Sequence, residues 1–320
     1  MHHLLHHANC ADGFAAACIA RHALLSQGIP GTDINVQPVN YGQPDQMPLG
    51  DHYLQPGDTL TYLDYTPPEA DLAAICNRSE HIPLTIIDHH STAAERHGYA
   101  ADNGNPLFRC RELKTRFNSI FMFIKSGATL AWTHYFPGTP TPRAIELIEW
   151  RDLGHAFDPK LQDNPLRADA LNLHAYLFRC IPRTFEAWTP LLLEEGSADT
   201  LVRQAVQIGS HLRTIDRCII AAAVNGPHWL NFHGEEIPAV NGLDAGLISD
   251  ACTELLRAYP TAPFAASWFI DPKTGKATYS LRSRRDTAVN VAEIAASMAP
   301  GGGGHPNAAG FSTLIPIPFV

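Results

Sequence analysis

No C-x-x-C pair occurs among the seven cysteines, and an odd number cannot all pair, which argues against both a zinc ribbon and a disulfide framework. Cys10, Cys18, Cys76, Cys110, Cys180, Cys218 and Cys252 fit a reducing compartment. No apolar run approaches the roughly 20 residues that a membrane span needs. The opening MHHLLHHANC lacks a basic region followed by an apolar stretch, so export is not expected. A cytoplasmic protein with no membrane partner is the expectation. Excess positive charge is missing too: 23 Lys plus Arg face 32 Asp plus Glu, a formal charge of −9. That excludes a general polyanion-binding surface, and an anionic substrate would have to be attracted by local features. There is no internal repeat and no low-complexity tract.

What is present is an ordinary globular composition, 45% hydrophobic, which excludes a disordered or fibrous chain. At 320 residues it exceeds what one core usually supports, so two domains are expected. In the first half short apolar runs alternate with helix-like stretches. Residues 2–7, 59–64 and 83–88 read as strands, 12–26 and 67–77 as helices. This alternation implies parallel strands joined by crossovers, hence an α/β fold with a mainly parallel sheet flanked by helices. Helical patterns dominate from 128 to 188, with Pro and Gly breaks at 137–142 and 158–165. The apolar period of Leu201, Val202, Ala205, Ile208, Leu212 and Ile215 predicts a connecting helix. The remainder alternates strands (229–232, 237–240, 264–270, 277–281) with helices near 245–258 and 291–298, a smaller α/β domain with a mixed sheet. The domains are placed at 1–192 and 218–320, joined by a helix over 193–217.

Seventeen histidines are many, and their position decides what they mean. In TIIDHH an apolar run breaks directly into Asp88, His89 and His90. Three further clusters fall where a strand ends or a loop opens: His6 to Asp12, Asp64 in YLDYTP, and Asp152 in EWRDLGH. Ligands in open α/β sheets bind outside the carboxyl ends of the strands, so these groups could converge. Any one of them reads equally well as a helix cap or a solvated loop residue, and Asp12 could simply cap its own helix. Several carboxylates in one crevice repel each other unless a cation neutralises them. A mixed carboxylate and imidazole set suits manganese best, zinc or iron less, with magnesium a poorer partner for His. Two ions sharing a carboxylate, about 3.5–4 Å apart, would polarise a phosphoryl group and activate water.

In order and spacing, ANCADGFAAA, YLDYTPP, IIDHH, SGATLAW and IEWRDL resemble the DHH phosphoesterase superfamily. The C-terminal SLRSRRD and GGGGHPNAAGF are similar to its associated substrate-binding domain. The resemblance implies a two-domain, manganese-dependent phosphohydrolase, a phosphodiesterase or exonuclease with its cleft between domains and a metal-activated hydroxide as nucleophile. It also implies one or two divalent ions per site, Mg²⁺ or Co²⁺ being alternatives to Mn²⁺. By the same resemblance Asp12 binds one ion, Asp64 bridges two, and His89 and Asp152 complete the second. His90 contacts phosphate, and Asp88 orients the imidazoles. Asp64, His89 and His90 are thus the catalytic set.

The family pattern His-x-x-x-Asp-x-Asp is broken here, because Cys10 stands at the first Asp. Counting back from Cys10 selects His6, whereas the subgroup pattern His-Ala-Asn-Cys-x-Asp-Gly-Phe selects His7. Adjacent strand residues face opposite ways, and His7 is favoured. Cys10 reads as a small buried thiol or as a thiolate ligand. In the second domain, Gly301 to Gly304 read as a flexible loop whose N–H groups cradle phosphate. Arg282, Ser283, Gly303, Gly304, His305, Asn307 and, from the first domain, His90 form the substrate-binding set. Short single-stranded oligonucleotides or dinucleotides are the expected substrates. The rivals are cyclic or linear dinucleotides, pyrophosphate or polyphosphate, and a non-catalytic nucleotide sensor. A homodimer is compatible with the sequence. Arg109, Arg111, Lys114, Arg116 and Lys125, interleaved with Phe108, Phe117, Phe121 and Phe123, read either as a nucleic-acid track or as a strand core with a wet edge.

Overall fold

The computed structural model describes residues 1–40, 54–68, 71–72, 75, 82–91, 93, 117–193, 198–232 and 234–314. Two compact units result: Met1–Ala156 with Asp163–Gly209, and Phe157–Gln162 with Ser210–Val320.

The first unit is built on five parallel strands: β1 (His2–His7), β2 (Ile34–Val39), β3 (Thr59–Leu63), β4 (Leu84–Asp88) and β5 (Phe117–Phe121). Their order is β2-β1-β3-β4-β5. A parallel sheet is buried on both faces, and the strand sequences show why. Leu4, Leu63 and Ile87 enter one core, while their neighbours Leu5, Tyr62 and Ile86 enter another. The two-residue period of a strand thus divides consecutive apolar residues between opposite faces. Helices α1 (Ala11–Ser26), α2 (Gly127–Tyr135), α3 (Arg143–Asp152), α4 (Pro165–Arg179) and α5 (Phe185–Leu193) complete this unit. The small face of α1, Ala15, Ala16, Ala17 and Ala20, is fully buried in the first core.

Order and register together place the site. His6, Leu63, Ile87 and Ile120 form one row across the sheet. The next residues, His7, Asp64 and Asp88, therefore emerge together at its carboxyl edge. The chain leaves β1 for β2 on one side and returns as β3 on the other, and ligands bind at such a switch point.

Helix α6 (Ala198–Val224) is longer than the predicted connector, and the division between units falls inside it, after Gly209. A Cβ on Gly209 would lie 1.8 Å from the Asn172 carbonyl, so the first part of α6 packs closely on α4. The second unit carries β6 (His228–Phe232), β7 (Glu235–Asn241), β8 (Phe264–Ile270), β9 (Ala277–Ser283), β10 (Gly303–His305) and β11 (Ala308–Thr313), in the order β10-β11-β9-β8-β7-β6. Of the pairings among these described strands only that of β7 with β8 is parallel, the two being joined across one face by α7 (Ile248–Ala258). Helix α8 (Val291–Met298) covers the other face through Val291 and Ala295.

One sequence expectation changes, and one strand had none. The glycines read as a flexible loop lead into strand β10, paired to β11. A Cβ on Gly302 would meet the Ala295 carbonyl at 2.0 Å and one on Gly304 the Ala308 carbonyl at 2.5 Å, so close backbone packing explains both. Strand β2 is an edge strand containing Pro38, a residue that weakens any strand signal. Phe108, Arg109, Arg111, Lys114 and Arg116 lie outside the described residues, as does much of the helix expected at 67–77.

Candidate metal centre

Asp12 sits in the first turn of α1 but does not cap that helix. The N-cap is Cys10, whose side chain makes no capping bond. Fully buried, the Asp12 carboxylate instead accepts from Gly127 N at 2.5 Å and Ala128 N at 3.0 Å, the first two residues of α2. A helix N-terminus offers unpaired N–H groups and partial positive charge, which hold a carboxylate in one orientation. Ser126 caps α2 by accepting from Thr129 N. Gly127 is obligatory there, since a Cβ would stand 2.6 Å from Asp64 Cβ and 2.9 Å from Asp12 Oδ2. Sequence reasoning gave Ser126 and Gly127 no role. The available signal was a Ser-Gly pair opening a helix, an N-cap signature.

Asp64 leaves β3 with φ +56, the left-handed conformation that Asp tolerates better than most residues. Its N–H donates to the Ile87 carbonyl at 2.8 Å, tying the turn to β4. Around it the imidazoles gather. His89 Nε2 lies 3.1 Å from Asp64 Oδ1, 3.3 Å from Asp152 Oδ2 and 3.8 Å from Asp12 Oδ2. His7 Nδ1 is 3.5 Å from Asp64 Oδ2. His6 takes the face of Leu4, its ring edge-on to Phe14 of α1 and its Nδ1 3.0 Å from the His7 carbonyl. Of the two candidate histidines, His7 is thus the one beside the carboxylates.

Asp88 has a different task. Its Oδ1 accepts from His89 N (2.7 Å), His90 N (3.2 Å) and His90 Nδ1 (2.7 Å), while Oδ2 accepts from Thr66 Oγ1 at 2.5 Å. A carboxylate oxygen can only accept, so Nδ1 of His90 carries a proton.

The electrostatics follow from burial. Desolvation drives Asp12 well above the usual carboxylate range, reinforced by Asp152 and Asp64. Asp152 is raised for the same first reason. At Asp64 burial also pushes upward, but the imidazoles of His7 and His89 close beside it and the charge of both His90 and His89 outweigh it, leaving this carboxyl well below the usual range. Burial works against a charged His89, yet Asp64, Asp152 and Asp12 raise it to about 10. The imidazole of His89 and the carboxyl of Asp64 thus hold opposite charges against each other at the centre of the cluster.

A divalent cation fits this donor set. Both Asp64 oxygens and Asp152 Oδ2 are buried with no hydrogen bond among the described residues, the condition a cation relieves. Asp12, Asp64 and His89 offer ligand atoms within 4.8 Å of one another, and so do His7, Asp64 and His90. Asp64 belongs to both triads. The resemblance groups Asp12 apart from His89, whereas here they share a triad. Cys10 belongs to neither, and burial together with Asp64, Asp152 and Asp12 pushes its thiol well up, which disfavours a thiolate.

In the second unit, Arg282 Nε donates to Ser249 Oγ (3.1 Å) and Nη1 to the Leu281 carbonyl (2.8 Å). Ser283 Oγ donates to the Val289 carbonyl (2.9 Å), and Asn307 Nδ2 donates to Ser283 Oγ and the Arg284 carbonyl, both at 3.0 Å. Ser283 and Asn307 therefore brace the end of β9 against the β10–β11 turn, leaving His305 and Gly304 on that turn's other strand. Arg284 Nη2 donates to the Ala262 carbonyl at 3.0 Å.

No protein-family model matches the chain. It is 24% identical over 314 residues, 97% of its own length, to uncharacterized protein R106 of Acanthamoeba polyphaga mimivirus, and spans 66% of that protein, just under two thirds. Among solved structures it is similar to the DHH domain of a member of a family of ribosomal proteins (TM-score 0.57, 14% identity, covering 97% of this chain and 82% of that one). It is also similar to RecJ in complex with Mn²⁺ from Thermus thermophilus (TM-score 0.50, 14% identity, 98% of this chain and 49% of that one). The chain has the fold of the DHH phosphoesterase superfamily.

Two outcomes are expected. Gly127→Ala displaces Asp64 and Asp12 together and weakens Mn²⁺ binding by ~10-fold or more, on the scale seen when metal-ligand support is lost; calorimetric titration of the folded variant checks this. His89 is raised from about 6.5 to about 10, so its charged form stabilises the ion-free fold fully below about pH 6.5 and loses that effect as pH rises through 10. A cation must displace that proton. Mn²⁺ affinity therefore rises with pH across this window, and titrations near pH 8 in buffers of different ionisation enthalpy show proton release. Release of none rules out His89 as a ligand.

Proposed function

We propose that this chain is a divalent-metal-dependent phosphoesterase that hydrolyses phosphodiester bonds in short single-stranded oligonucleotides, with manganese as the preferred ion. The observation that carries the reading is Asp64: a buried carboxylate in a left-handed turn, shared by two His and Asp triads, with neither oxygen hydrogen-bonded among the described residues. The nitrogens that face those oxygens, His89 Nε2 at 3.1 Å and His7 Nδ1 at 3.5 Å, belong to imidazoles, which are themselves metal ligands. The mixed imidazole and carboxylate donors favour Mn²⁺ over Mg²⁺, and the Mn²⁺ held by the similar RecJ structure supports the same choice.

A divalent ion bound there supplies Lewis acidity, polarising a phosphoryl oxygen and making a water molecule acidic. His7, Asp12, Asp64, His89 and Asp152 would hold it. The chain's own groups do the rest. Asp12, fixed by two N–H groups of α2, and Asp64, fixed by its turn, keep negative charge at set positions, so orientation is settled before substrate arrives. His90, its Nδ1 engaged by Asp88, is the phosphate contact that the family resemblance implies. Within the second unit, Arg282, held in place by Ser249, and the β10 backbone at Gly303 and Gly304 with His305 are the anion-binding donors that the family resemblance assigns to substrate. Ser283 and Asn307 act on substrate indirectly, by fixing that hairpin.

The test uses the purified chain with Mn²⁺ and four substrates: bis(p-nitrophenyl) phosphate, a 5′-labelled RNA dinucleotide, a cyclic dinucleotide and pyrophosphate. Metal-dependent release of mononucleotide from the RNA is expected. His89→Ala or Asp64→Ala should lower kcat by at least ~10³-fold with the fold intact, and Arg282→Ala should raise KM more than it lowers kcat. Hydrolysis of pyrophosphate alone overturns the phosphodiester reading. Tight nucleotide binding without turnover makes the protein a sensor, for which Cys10 in place of the expected carboxylate is the reason.

A further inference from the structure

We propose that Thr66 is a positioning residue of this centre, setting through Asp88 the direction of the His90 imidazole and of the backbone that carries His89; the inference rests on the metal-centre reading above. Thr66 is 2% exposed and Asp88 is fully buried, and the Thr66 hydroxyl donates to Asp88 Oδ2. Among the described residues no other donor reaches that oxygen. Oδ1 is saturated by the two backbone N–H groups of His89 and His90 and by His90 Nδ1. The carboxylate can rotate about its χ2 unless both oxygens are held, because rotation about a terminal sp³–sp² bond is soft. Thr66 supplies the missing second point.

The local sequence explains why this hydroxyl is placed so firmly. Asp64 turns the chain through a left-handed conformation directly after β3, and Pro67 and Pro68 follow Thr66. A residue before proline is confined to extended backbone, so Thr66 is fixed between two restricted positions. Its side chain thereby ties the end of β3, which carries Asp64, to the end of β4, which carries His89 and His90. The two triads that share Asp64 draw one imidazole each from that pair. One hydroxyl thus sets the distance between the shared carboxylate and both its imidazole partners.

The experiment compares Thr66→Val, which keeps shape and removes the donor, with Thr66→Ser, which keeps the donor, and uses His89→Ala as control. Mn²⁺ Kd is read by calorimetry and by the electron paramagnetic resonance of the bound ion, and folding by circular dichroism. Thr66→Val is expected to weaken Mn²⁺ binding by ~10–100-fold, the range for groups that support metal ligands, with kcat reduced and KM nearly unchanged. Thr66→Ser is expected to restore binding to within a few fold of the wild type. Should Thr66→Val bind Mn²⁺ like the wild type while His89→Ala does not, the positioning role is overturned and the metal centre stands. Wild-type affinity in His89→Ala would instead overturn the metal centre itself. If Thr66→Val fails to fold, Thr66→Ala against Thr66→Ser decides by the same criterion, equal Kd values overturning the role.

Discussion

Buried negative charge at the carboxyl edge of the parallel sheet is the constraint on which the rest depends. Asp12, Asp64 and Asp88 are each at most 1% exposed, and Asp152 lies 3.3 Å from the same imidazole as Asp64. Isolated ionised carboxylates cannot be buried without compensation. The chain compensates them unequally. Asp12 receives two N–H groups from a helix N-terminus, and Asp88 receives four hydrogen bonds. Among the described residues, Asp64 and Asp152 face histidine nitrogens alone. The partners a carboxylate has thus separate those that shape the site from those left for a cation.

The same charges explain the turns around them. Two of the described non-glycine residues with positive φ, Asn9 and Asp64, flank the switch point between β1 and β3. Such conformations cost about 1–3 kcal/mol each, and both fall between strand ends that the register aligns. They turn the chain at the edge of the sheet, so that side chains from three strands and the start of α1 occupy one small volume. Packing beneath it is dense, with Leu4, Leu63 and Ile87 almost wholly buried under α1, so the edge rests on a rigid base.

Much of this was legible in the sequence for a definite reason. The strands β1, β3 and β4 consist of apolar residues followed at once by ionisable ones, and that abrupt change survives without any tertiary knowledge. Helices α1 and α8 and strands β8 and β9 were equally legible, through period and punctuation. Two things were not. The hydrogen bonds that orient Asp12 come from residues 115 and 116 positions away, and local pattern cannot carry that distance. Strand β10 is made of glycines and one histidine, which read as a loop because their role is close backbone contact with β11 rather than side-chain burial.

The Cys10 substitution bears on how charge is shared between the two triads. The triad of His7, Asp64 and His90 contains one carboxylate, and the triad of Asp12, Asp64 and His89 contains two, with Asp152 beside His89 as a third. An aspartate at position 10 would add an anion to a cluster that already pushes the Cys10 thiol toward its neutral form. With a neutral thiol there, the cluster gains no further negative charge. Attraction for a divalent cation scales with the charge facing it, so on charge alone the carboxylate-rich triad is the stronger site and the His7 triad the weaker. A thiol in place of a carboxylate at position 10 thus keeps the negative charge of the cluster concentrated in the triad of Asp12, Asp64 and His89.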